Sequence, residues 1–131
     1  MKDNKLTKRE KEIVKPPANG KRPVRLSHPR LGTIQVQRDK ILMAIARKHK
    51  VKVLVLSGKE ADWLERSGSL EKFLADIDNK DFERVNKFYV LNWPRVYGFN
   101  LKTKVISFNN TSFTVQLTHP IKASVIKNRS L

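Results

Sequence analysis

The chain has no cysteine. That excludes a disulfide framework, thiolate-bound zinc and thiol nucleophiles, so nothing in the fold requires an oxidising compartment. No apolar run comes near the ~18 to 20 residues a membrane helix needs, and the N-terminus is too polar for a secretory leader. The sequence therefore predicts an intracellular protein with no membrane partner, at work in the cytoplasm, on the nucleoid or in a virion. Acid is scarce as well: 12 Asp and Glu stand against 28 Lys and Arg, a net charge of +16 over 131 residues. A chain that far from neutrality repels itself unless a polyanion is close, and nucleic acid is the commonest one.

The positive excess is segmental. Residues 1–32 carry ten positive and three negative side chains, and residues 33–59 carry seven and one. Residues 60–85 reverse the sign with four and eight, while residues 86–131 hold seven positive charges and no acid, Glu83 being the last. Whatever the C-terminal third exposes is basic or neutral. The acidic segment 60–85 would face away from a polyanion, which makes it the natural place for a protein partner.

Residues 1–30 read as a basic, Pro-containing flexible tail. Pro16, Pro17, Pro23 and Pro29 break any helix attempted beyond Val14, and hydrophobicity there is too low to offset ordering entropy. Within this tail Lys21, Arg22, Arg25 and Arg30 form an extended arm of the kind that tracks phosphates. Residues 31–131 read as a single α+β domain. The alternation at 33–37 suits a strand, and 38–49 a helix whose Ile41 and Ile45 face a core while Lys40, Arg47 and Lys50 face out.

The β-branched run at 51–56 predicts a covered strand, 59–66 a helix stopped by Gly68, and 70–77 a second helix. The latter carries Leu70, Phe73, Leu74 and Ile77 at i, i+3, i+4, i+7 spacing behind a Ser69 cap. Strands follow at 87–93 and, as a hairpin about Asn109-Asn110, at 105–108 and 113–117, while 121–127 reads as a last strand or a turn of irregular chain. This order predicts helices packed on a mostly antiparallel sheet, preceded by a disordered basic N-terminal tail.

Catalysis finds little footing. His28, His49 and His119 are isolated, without metal-ligand spacing. Asp76, Asp78 and Asp81 fall at a helix boundary, where Asp belongs without any metal. Gly58-Lys59 lacks the rest of a phosphate-binding loop. No catalytic residue, metal ligand or cofactor is expected, and the chain is not expected to be an enzyme.

Binding chemistry is better represented, because aromatics among cations serve both base stacking and phosphate pairing. Of the cluster from Phe88 to Lys104, Arg95, Tyr97, Lys102 and Lys104 are the residues expected at the surface. The sequence thus predicts a DNA- or RNA-binding protein that contacts phosphates through a basic arm and a basic C-terminal sheet. Two other classes fit the composition: a structural component of a ribosome or virion, and a non-catalytic regulator bound to an acidic protein surface.

Overall fold

The computed structural model describes residues 6–14, 23–122 and 124–125. Its centre is the β-branched run expected to be a covered strand. That run lies in β4 (Lys50–Ser57), whose side chains divide by parity between two cores. Val51, Val53 and Val55 join one hydrophobic cluster, Leu54 and Leu56 the other. A strand covered on both faces needs no polar alternation, and each fully buried Val or Leu contributes roughly 1.5–3 kcal/mol.

Around β4 a seven-stranded antiparallel sheet is ordered β2-β1-β5-β4-β3-β7-β6. Its members are β1 (Val24–His28), β2 (Gly32–Val36), β3 (Ile41–Arg47), β5 (Glu60–Ser67), β6 (Phe82–Arg84) and β7 (Tyr89–Asn92). A second sheet, ordered β10-β9-β8, is built from β8 (Val96–Asn100), β9 (Val105–Phe108) and β10 (Thr114–Gln116). Its Val96, Ile106, Phe108 and Val115 pack with Leu42, Leu54, Leu56 and Leu91 of the large sheet. The opposite face carries α2 (Leu70–Ile77), whose Phe73 and Ile77 are fully buried, and Ile13 of the short α1 (Lys8–Ile13). Single 3-10 turns at Arg38–Lys40 and Trp93–Arg95 lead into β3 and β8.

This architecture overturns the expected α+β arrangement. The fold is mostly antiparallel β, with a second sheet where a layer of helices was expected; among the described residues α2 is the only helix longer than six residues. Residues 41–47, expected in a helix, form β3. A register shift between Ile41 and Met43 turns both Leu42 and Met43 toward the second sheet, so five consecutive residues are buried and period-2 alternation disappears. Asn92, buried beside this irregularity, donates from Nδ2 to the Ile41 carbonyl at 2.8 Å.

The stretch 59–66, also expected to be helical, falls in β5 from residue 60 on, and β5 is joined to β4 by a two-residue turn at Gly58-Lys59 with Gly58 at φ 69. Eight paired positions along β4 outweigh the helix propensity of that stretch.

The disordered tail needs the same correction where it is described. β1 pairs along its length with β2, and Ile13 is 1% exposed. Of the two readings of 121–127, a last strand or irregular chain, the described residues show no strand, and Ile121 is buried in the core. Among the described residues no helix is long and apolar enough to cross a membrane.

Candidate nucleic-acid interface

At one end of the large sheet β3 turns back into β4. Arg47 stands opposite Lys50 across the two-residue turn Lys48-His49, which His49 closes at φ 56; all four side chains are exposed. The Ala46 N–H donates to the Phe88 carbonyl at 2.8 Å, and this bond lays the β6–β7 turn alongside. That turn is built from its own side chains. The Arg84 guanidinium donates to the carbonyls of Asn86 and Lys87 at 3.3 and 3.1 Å, and Asn86 Oδ1 accepts the N–H groups of Phe88 and Tyr89 at 2.8 and 3.0 Å. Lys87 projects from it, exposed.

From the same turn Asn86 Nδ2 donates to the Pro120 carbonyl at 3.0 Å, and Tyr89 Oη accepts the N–H groups of Thr118 and His119 at 3.0 and 3.1 Å. The His119 ring stacks on Phe88 with centroids 3.8 Å apart. One step further, the Leu117 N–H donates to the Lys104 carbonyl at 2.8 Å, tying in the β8–β9 turn. There Asn100 Oδ1 accepts the N–H groups of Lys102 and Thr103 at 2.9 and 3.0 Å, and Lys104 holds φ 60. Hydrogen bonds therefore stitch four segments into one end of the molecule. It displays Arg47, Lys48, Lys50, Arg84, Lys87, Lys102, Lys104 and Lys122, with the imidazoles of His49 and His119 among them.

Acid is sparse at this end. Glu71 lines a hollow of about 660 Å³ together with Arg47, Lys50 and Arg84. Glu65, farther along β5, accepts from Lys52 Nζ at 2.9 Å and from Lys50 Nζ at 3.3 Å. Those bonds, Lys52's first, hold its carboxyl below the usual range, so part of the Lys50 charge is balanced locally.

The opposite end has a different character. Asn109 donates from its N–H to the Arg95 carbonyl at 2.8 Å and from Nδ2 to the Pro94 carbonyl at 2.9 Å, while Thr111 Oγ1 donates to the Lys59 carbonyl at 2.7 Å. Asp39, Glu60, Asp62, Asp78 and Asp81 lie on the turns and strand starts of this end.

The structure thus brings Arg47, Lys50, Lys102 and Lys104 together and sends Lys40 and Arg95 to the other end, while Arg25 shares a hollow with Ser67, the β5 partner of Lys50. Lys40 and Arg95 sit at the opposite end, where Arg95 Nε donates to the Asp39 carbonyl at 2.6 Å. Tyr97 is 75% exposed on β8, beside Asn109, Asn110 and Thr111. Arg25 is exposed on β1, in a hollow shared with Arg66 and Asp76, and Arg30 is engaged by Glu10. Lys21 and Arg22 lie outside the described residues.

Lys48, Arg84, Lys87, His49, His119 and Lys122 were missed. The signal for the first and fourth was the Arg-Lys-His-Lys turn itself, legible only once residues 41–57 are read as a hairpin. Within the acidic segment, Asp62 accepts from Ser57 Oγ at 2.8 Å and pairs with Arg9, Asp76 pairs with Arg66, and Glu83 accepts from Trp93 Nε1 at 2.7 Å. With Glu65, half of the segment's acids are thus engaged inside the molecule. No group of three metal-ligating side chains occurs among the described residues.

No protein-family model matches the chain, and no curated protein is similar to it in sequence. Its fold does have a solved counterpart. The chain is similar to the LytTr DNA-binding domain of a response regulator from Bacillus cereus, with a TM-score of 0.57 and 20% identity, over 85% of this chain and 98% of that one.

Proposed function

We propose that this protein is a DNA-binding domain that sets its acid-poor end against the duplex. The observation that carries the reading is the convergence at that end of cations from the β3–β4, β6–β7 and β8–β9 turns and the segment after β10, held in register by the hydrogen bonds above. Fold likeness to a DNA-binding domain favours DNA over RNA as the ligand. Exposed Lys and Arg on rigid turns suit phosphate contacts, which position a protein on DNA and make its affinity fall with salt.

The test is a salt series of binding to duplex DNA, single-stranded DNA and structured RNA, with Lys87→Glu compared against Lys59→Glu. Both lysines are exposed, but Lys59 is on the opposite end. Duplex DNA should bind tightest. Lys87→Glu should weaken it and lower the log–log salt slope by about 0.9 for each phosphate no longer neutralised, while Lys59→Glu changes little. Equal weakening in the two variants would mean that the chain binds only as a diffuse polycation.

A further inference from the structure

We infer that β8 is a docking strand for an extended, acidic segment of another protein, which adds to the small sheet as a fourth antiparallel strand. β8 is the outer strand of that sheet, and among the described residues nothing pairs with its free edge. Natural edge strands are blunted by Lys, Pro, inward charges or bulges, because an open ladder of N–H and C=O groups templates pairing. β8 reads Val-Tyr-Gly-Phe-Asn, with no charge and no proline. Its one protective device is the register shift between Val96 and Gly98, which leaves the half beyond it regular.

A second observation falls on this strand and the turn residue directly after it. Tyr97 and Leu101 are the two large hydrophobic side chains that stand out in solvent among the described residues, at 75% and 60% exposure. A single exposed apolar residue needs no explanation, but two at the ends of one open edge form a surface that a partner strand would cover. Between them Gly98 presents no side chain, and a Cβ built there would meet only Ser107 Oγ at 3.6 Å. Another backbone can therefore approach closely at that point.

Charge selects the occupant. Lys102 and Lys104 follow the strand directly, and no acid occurs after Glu83. A second copy of this chain would bring its own Lys102, Lys104 and a net +16 against the same cations. An acidic strand meets complementary charge instead, with alternate apolar residues over Tyr97 and Leu101. Docking at β8 does not depend on the DNA reading and stands or falls separately from it.

The probe is a synthetic decapeptide alternating Asp with Val, Phe and Leu, titrated into the full-length, isotope-labelled protein by NMR. Two controls accompany it: deca-glutamate, and the same decapeptide N-methylated at alternate backbone positions. The expected result is shifts centred on residues 98–101, absent with the N-methylated peptide, and binding weakened about tenfold in Tyr97→Ser or Leu101→Ser, the scale of losing one anchor. Shifts confined to Arg47, Lys50 and Lys87, and matched by deca-glutamate, would overturn the proposal, as would no shift at all. So would a concentration-dependent dimer that Leu101→Lys dissolves, since the edge would then serve copies of this chain.

Discussion

Glu10 has a side chain only 8% exposed, yet it is set up to stay charged. The Arg30 guanidinium binds it in two places, with Nε on Oε2 at 2.7 Å, and the Thr7 N–H donates to Oε1 at 2.9 Å, closing a capping box on α1. Arg30's hydrogen bonds first, then Thr7's, lower its pKa from 4.5 to about 2, against the opposing effect of burial. The folded pKa lies below the unfolded one, so the ionised carboxylate stabilises the docked helix above about pH 4.5 and that contribution is lost as pH falls toward 2. Glu10→Gln should lower the melting temperature at neutral pH and flatten the acid limb of the stability curve. Parallel curves for the two proteins from pH 4.5 to 2 would show that the ion pair does not hold α1.

Tyr89 illustrates the same economy at the basic end, because its hydroxyl accepts the N–H groups of both Thr118 and His119. Tyr89→Phe leaves those donors without a protein partner. A loss of about 1–3 kcal/mol in chemical denaturation is expected, with faster amide exchange at residues 118 and 119. Exchange unchanged at those two positions would refute this role for the hydroxyl.

Among the elements, α2 is the one most fully specified by its own residues. Ser69 Oγ accepts the Lys72 N–H at 3.1 Å, and Phe73 is wholly buried against the large sheet, with the Arg66 guanidinium 5.6 Å from its ring centroid. Phe73→Ala should destabilise the protein by about 3–5 kcal/mol while leaving the β-sheet signal of the folded state intact; a loss under 1 kcal/mol would mean that α2 is not packed as described.

Helix α2, the strand at 51–56 and the hairpin of β9 and β10 were all legible because their patterns are local. β3 and β5 were not. A strand buried on both faces and interrupted at Leu42 shows no alternation, and Ile41 and Ile45 at i, i+4 imitate a helix stripe. In β5, Glu60, Ala61, Leu64 and Glu65 are good helix formers, and pairing with β4 on one side and β1 on the other decides the state of the stretch. The site followed from the fold: reading 38–49 as a helix placed Lys40, Arg47 and Lys50 on one stripe, whereas the hairpin keeps Arg47 and Lys50 together and sends Lys40 to the far end. Arg84 and Lys87 escaped notice because sequence distance hides the bond from Ala46 to Phe88.

On the scale of the whole molecule, unbalanced positive charge is concentrated at one end. The stitched turns carry eight cations with Glu71 close by, while at the other pole Asp39, Glu60, Asp62, Asp78 and Asp81 offset cations such as Lys40, Lys59 and Arg95. A molecule charged this way orients before contact, since a polyanion attracts the cation-rich end more strongly than the end where carboxylates offset the cations. Two consequences can be measured on duplex DNA. Amide shifts on binding should be largest at residues 47–50, 87, 102–104 and 119, and small at 58–60 and 109–111. The association rate should fall steeply with ionic strength, because steering acts over about one Debye length, ~10 Å at 0.1 M salt. Reversing the far pole with Asp39→Lys and Glu60→Lys adds positive charge there while leaving the stitched turns untouched. If orientation matters, that variant gains non-specific affinity but loses the localised shift pattern; if shifts spread evenly over both poles in the unaltered protein, the charge separation does not direct binding.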